Sequence, residues 1–136
     1  MGIEETVISC SHLQKNFSQG SQVVKVLQDV NLEVFASEQI AIIGSSGSGK
    51  TTLLNLLGGL DLPTSGEVYV ANKNLAAVDE TDRGYLRNKY LGFVFQFHHL
   101  LGEFTALENV SMPLLIGGVS AKTAAEKSRS LLNKVG

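Results

Sequence analysis

The chain has 136 residues, of which 43% are apolar and 18% charged, with a formal net charge of −2. This is one domain's worth of sequence, able to bury a real core, and its charge gives no electrostatic case for nucleic acid as a partner. No run approaches the roughly 18 apolar residues that read as a membrane span, and the acidic start, Met1-Gly2-Ile3-Glu4-Glu5, lacks a signal-peptide core. Cys10 is the single cysteine, which excludes an internal disulfide, suits a reducing cytosol and predicts a small packed apolar side chain.

In chain order, residues 6–10 have strand composition. Residues 11–21 read as a polar, Gly-containing connection with one aromatic, Phe17. Residues 23–27 and 30–34 follow as two strands, the second with period-2 alternation, predicting an antiparallel layer ahead of the next elements. Gln39-Ile40-Ala41-Ile42-Ile43 predicts a short buried parallel strand, and residues 51–57, free of Pro and Gly, predict a helix.

Past that helix, Gly58-Gly59 lowers helix propensity and Pro63-Thr64-Ser65-Gly66 marks a turn. Residues 67–71 alternate like a half-buried strand, and Asn72-Lys73-Asn74 reads as another turn. Asp79 is placed to cap a helix over residues 80–89. Ala76-Ala77-Val78-Asp79-Glu80 could also be a strand ending in metal-binding carboxylates. Alanines are poor strand formers, however, and the cap explains Asp79 without a metal. Leu91-Gly92-Phe93-Val94-Phe95 predicts an apolar strand ending at Gln96. Thr105 with Glu108 fits a capping box, opening a helix that Pro113 must kink or end. Ser120 can cap a last helix with an apolar stripe of Ala121, Ala124, Ala125, Leu131, Leu132 and Val135.

Between the predicted strand and helix stands Gly44-Ser45-Ser46-Gly47-Ser48-Gly49-Lys50-Thr51. It fits the phosphate-loop pattern G-x-x-x-x-G-K-[S/T] at every fixed position, and strand, loop and helix in that order are its proper context. The alternative, a Gly/Ser-rich surface turn, explains neither flank. Gly47 and Gly49 can take positive φ, turning successive N–H groups inward as an anion nest. The helix start adds its dipole, Lys50 a point charge for the terminal phosphates, and the Thr51 hydroxyl a ligand for Mg2+.

Three features resemble the nucleotide-binding subunits of ABC transporters. They are the loop as it continues into Thr52-Leu53-Leu54, the phrase Gly92-Phe93-Val94-Phe95-Gln96, similar to that family's Q-loop, and Phe17, where the family has an adenine-stacking aromatic. Within the family, His98-His99-Leu100-Leu101 and Met112-Pro113-Leu114-Leu115-Ile116-Gly117 most resemble the lipoprotein-releasing subgroup. Macrolide-exporter and cell-division ATPases share the outline and stay open as alternatives, as does a nucleotide-binding fragment that does not hydrolyse. Ser37 and Gly102 depart from the family's usual Gly and Pro.

The resemblance implies an α/β fold: a P-loop NTPase (RecA-like) core with an N-terminal antiparallel β-subdomain over residues 1–95, then the Q-loop and the start of a helical subdomain over residues 96–136. It implies ATP and Mg2+ as ligands. Phe17 would stack on adenine, with Gly44, Ser45, Ser46, Gly47, Ser48, Gly49, Lys50, Thr51 and Thr52 around the phosphates. Lys50 and Gln96 would have catalytic roles, with Thr51 and Gln96 at the metal. The partners implied are a second copy in a homodimer and integral membrane subunits, with lipoprotein cargo touched only indirectly and no nucleic acid. The place implied is peripheral, on the cytoplasmic side of the bacterial inner membrane. The family's signature, its Mg2+-binding Asp, catalytic Glu and switch His do not occur in these 136 residues, so a truncated, inactive fragment with an uncovered apolar sheet face is expected. Other P-loop enzymes fit less well. Asn72-Lys73-Asn74-Leu75 and Asn88-Lys89-Tyr90-Leu91 lack the Asp of a guanine-reading motif, and Arg83, Arg87 and Arg129 do not make a kinase lid.

Overall fold

The computed structural model describes residues 5–136, so the acidic start at residues 1–4 lies outside it. The chain forms two compact units, one ending at Tyr90 and one spanning Leu91–Gly136.

In the first unit, β1 (Thr6–Gln19) and β2 (Gln22–Phe35) make a long antiparallel hairpin. Gly20, at φ +61, turns the chain between the paired residues Gln19 and Gln22. Residues 11–19, expected as a connection, are therefore strand, and the two expected strands over residues 23–34 are one. Both differences have one cause. The hairpin carries register shifts between Cys10 and Leu13, Leu13 and Lys15, and Lys15 and Asn16, which scramble the alternation that strand reading relies on.

Next come α1 (Lys50–Leu57), β3 (Ser65–Val70), the two-residue β4 (Lys73–Asn74) and α2 (Glu80–Tyr90). The sheet order is β2-β1-β3-β4, and every pair is antiparallel. The turn into β4 is Ala71-Asn72, both at positive φ as a tight hairpin turn requires, one residue earlier than the sequence suggests. Leu53, Leu56 and Leu57 share one face of α1 and are buried, and Cys10, Leu13, Leu27, Val68, Val70 and Leu75 complete the core of this unit. Fully burying each such Leu or Val stabilises by about 1.5–3 kcal/mol. Burial also pushes the Cys10 thiol pKa up, as expected of a packed cysteine.

Residues 39–43 do not form the expected buried strand. They pair with no strand among the described residues, and Ile40 and Ile43 are exposed. Residues 91–95 likewise stay out of any ladder among the described residues, with Val94 fully exposed. Apolar, β-branched composition favours a strand, but only a paired neighbour satisfies its N–H and C=O groups.

The second unit is a helical hairpin, α3 (Ala106–Ile116) and α4 (Ala121–Val135). Thr105 and Glu108 form the full capping box, and Ser120 caps α4 through the N–H of Thr123. Pro113 does not end α3, which runs three residues further to Ile116, with Gly117 as its C-cap. The stripe expected on α4 is buried only at Ala124, with Ser128 beside it, while Leu131 and Val135 are exposed. No helix among the described residues is long and apolar enough to cross a membrane.

Candidate phosphate-binding site

The loop between residues 43 and 50 is shaped by three glycines, each for a different reason. Gly47 has φ +77 with open space around its Cα, so its need is purely conformational. Gly44 is a close approach, since a Cβ there would sit 2.5 Å from Ser48 Oγ. Gly49 is both. It has φ +92, and a Cβ would meet Leu27 Cδ2 and Val26 Cγ1 at 3.0 Å each.

That last contact depends on β2. The pairs Lys15–Leu27 and Asn16–Lys25 leave Val26 as an extra residue, a bulge on β2. A bulge breaks the alternation of side chains, and here consecutive residues Val26 and Leu27 both reach the backbone that opens α1. The start of the loop helix is thereby seated on the sheet.

Gly49 is the N-cap of α1, with no side-chain capping bond and no acidic residue in the first turn. The leading N–H groups and the positive dipole end of α1 are therefore not neutralised by the protein's own side chains. Lys50 turns its ammonium back over the loop, donating to the carbonyls of Gly44 (2.8 Å) and Ser45 (2.7 Å) and to Ser48 Oγ at 3.4 Å. Ser46 is exposed in the loop's turn, Thr51 is exposed and Thr52 is half-buried. The arrangement offers an anion backbone donors, a helix end and one cation.

Phe17 lies on β1 opposite Val24. By the pairing of Lys15 with Leu27 and Phe17 with Val24, these four side chains share the face of the hairpin on which Gly49 rests. Val24 is two residues, about 7 Å of strand, from Val26. The phosphate loop and the aromatic thus meet one sheet face from neighbouring positions. Gln96 belongs to the second unit, in an exposed bend after residues 91–95. There the Phe93 and Phe95 rings stack at 5.6 Å and His99 packs edge-on against Phe95 at 5.0 Å, while His98 is exposed.

Asp79 and Glu80 are accounted for by structure. Asp79 Oδ1 accepts the N–H of Asp82, capping α2. Glu80 accepts from Arg83 at 2.6 Å and Arg87 at 3.1 Å, and the Arg83 hydrogen bond is the main cause of its lowered pKa. Sequence reading passed over Lys15, Val26 and Leu27. A lysine two residues before an aromatic on one strand signals a shared face, but the bulge left no readable sign.

Together the glycine loop, the uncapped helix and the α/β arrangement define a P-loop protein, and the chain belongs to the ABC transporter family, whose model matches residues 27–136. It is similar to the lipoprotein-releasing system ATP-binding protein LolD of Saccharophagus degradans, being 55% identical over 130 residues, which are 96% of this chain and 57% of that protein. LolD of Pseudomonas syringae pv. tomato is 53% identical over 133 residues, 98% of this chain and 59% of that protein. The chain thus spans between half and two thirds of the length of these curated relatives. Among solved structures it resembles the dimeric ATP-binding cassette MJ0796 in a post-hydrolysis state bound to ADP and Pi. The TM-score is 0.85 at 35% identity, over 93% of this chain and 56% of that one. The expected fold, that of an ABC ATP-binding cassette, is the one found.

Proposed function

We propose that the chain is the phosphate-gripping part of an ABC transporter ATPase of the lipoprotein-releasing type, coupling ATP binding and hydrolysis to release of lipoproteins from the inner membrane. The observation that carries the nucleotide reading is the Gly44–Thr51 loop, in which two left-handed glycines lead into a helix end that no side chain caps. Phosphate oxygens accept from the N–H groups over residues 47–52, with Ser45, Ser46 and Ser48 along the loop wall. Lys50 now donates to neutral acceptors. Turning to a phosphate exchanges these for charge-assisted hydrogen bonds, roughly twice as strong.

Phe17 stacks on adenine, which stabilises by about 1–3 kcal/mol without reading a base edge. The Thr51 hydroxyl is a hard, neutral oxygen donor that suits Mg2+, and the Gln96 amide, on the other unit, is a donor of the same kind. When bound, that ion supplies charge neutralisation at the terminal phosphates. Gln96 also orients the attacking water and reports nucleotide state to the helical hairpin. MJ0796 is described as dimeric, and the LolD relatives by name as belonging to a lipoprotein-releasing system. The first supports a homodimer and the second a part in lipoprotein release. On this reading the homodimer acts on integral membrane subunits from the cytoplasmic face of the inner membrane, with lipoprotein cargo touched only through those subunits.

The test uses the full-length protein coexpressed with its membrane subunits. ATP hydrolysis and release of a labelled lipoprotein from membrane vesicles are measured for wild type and Lys50→Ala. Loss of both in the variant is expected. Release that survives Lys50→Ala, or hydrolysis tied to a different cargo, would sink the reading.

A further inference from the structure

Lys15 has only 13% of its side chain exposed, unusually little for a lysine. Its Nζ lies 2.7 Å from Asp61 Oδ2 and 2.7 Å from the carbonyl oxygen of Leu62. It also stands 5.1 Å from the centre of the Phe17 ring. An ammonium has three N–H donors. Asp61 and Leu62 take two, and the ammonium lies over the Phe17 ring within the range of a cation–π attraction. Phe17 itself is partly exposed.

Asp61 and Leu62 belong to the segment that leaves α1, and further bonds lace that segment to β1. The Asn16 N–H donates to Thr64 Oγ1 at 2.9 Å, and the Thr64 N–H donates to the Gln14 carbonyl at 2.9 Å. The strand that carries Phe17 is therefore clasped at residues 14–16 by the chain emerging from the phosphate-loop helix. The hydrogen bond from Lys15 holds the Asp61 carboxyl below the usual carboxylate range, so the carboxylate stays ionised at neutral pH.

We infer that Lys15 is a positioning residue for nucleotide binding, its ammonium pinned by Asp61 and Leu62 so that it fixes the Phe17 ring as the surface on which adenine stacks. This rests on the reading of Phe17 given above. A lysine that merely stapled the fold would alter stability without separating the base from the phosphates. Here the cation touches the ring, so its loss frees the ring to turn and weakens only the base's part of the affinity.

The test measures binding of ATP and of inorganic tripolyphosphate to the full-length protein by calorimetry, for Lys15→Met, Lys15→Arg, Phe17→Ala and Lys15→Met with Phe17→Ala. Methionine keeps most of the buried stem. Lys15→Met should weaken ATP binding by roughly three- to tenfold and leave tripolyphosphate unchanged. Lys15→Arg should recover most of the loss, and the double variant should bind ATP no worse than Phe17→Ala alone. Equal weakening of both ligands by Lys15→Met, or additive losses in the double variant, would overturn the role of Lys15 while leaving Phe17 as the stacking surface. If Phe17→Ala leaves the ratio of the two affinities unchanged, the stacking reading fails and the inference falls with it.

Discussion

Gly49 lies so close to Leu27 that a methyl group on its Cα would stand 3.0 Å from Leu27 Cδ2. Gly47, two residues earlier, has nothing within 4 Å of the same hypothetical atom. The two positions share a positive φ, at +92 and +77, but only one is also a packing contact. Alanine at Gly47 should cost about 1–2 kcal/mol, the left-handed penalty alone. Alanine at Gly49 adds overpacking, about 1–3 kcal/mol more. Chemical denaturation of the full-length protein checks the order. Equal losses would mean that the bulge at Val26 does not seat the helix.

Ser37 stands at φ +66, in the turn between β2 and the phosphate loop. A serine pays the Cβ penalty there that a glycine avoids. Ser37→Gly should therefore stabilise the protein by about 0.5–1 kcal/mol, the relief of strain outweighing the greater entropy of the unfolded chain. The check is a rise in the denaturation midpoint at unchanged slope. A lower midpoint would show that the turn relaxes its strain in solution.

These two positions show what is legible in a sequence. Gly47 and Gly49 are demanded by local dihedrals and Gly44 by a close approach within the loop, so their spacing could be read directly. The capping box at Thr105 and Glu108, and the caps at Asp79 and Ser120, are equally local, and each is formed as read. Strand formation is not local. Residues 39–43 and 91–95 have strand composition and remain unpaired among the described residues, while polar residues 11–19 are strand because β2 and β3 flank them. Lys15 escaped notice for the same reason. Its partners, Asp61 and Leu62, are more than forty positions away in sequence.

Ser111 and Ser128 are buried together between α3 and α4, with their hydroxyl oxygens 3.0 Å apart. Ser111 donates its one proton to the Leu107 carbonyl at 2.7 Å, so the shared proton comes from Ser128. Ser111→Ala then strands a buried Ser128 hydroxyl and should cost about 1–3 kcal/mol. Ser128→Ala leaves Ser111 still bonded to Leu107 and should cost about half as much. The double alanine variant should lose less than the sum, since neither hydroxyl remains to be satisfied. A double-mutant cycle read by denaturation measures this. Strict additivity would place the two hydroxyls out of contact.

Glu108 accepts from the Thr105 N–H at 2.8 Å and from the Thr105 hydroxyl at 2.7 Å. The backbone hydrogen bond first, and the hydroxyl second, hold its carboxyl below the usual carboxylate range. The sign follows from which form the folded state prefers. A depressed carboxyl binds its proton more weakly folded than unfolded, so its stabilisation is fully present above the unfolded value, near pH 4.3. It is lost as pH falls through the lower folded value. Carboxyl-carbon NMR of the full-length protein should show Glu108 titrating below an ordinary glutamate. Thr105→Ala should raise that midpoint only part of the way, because the backbone bond survives the loss of the hydroxyl. As the pH drops through the transition, amide exchange should quicken first at the start of α3 and not at the start of α4, which is capped by the neutral Ser120. Equal acid sensitivity at both helix starts would show that the carboxylate does not hold the cap.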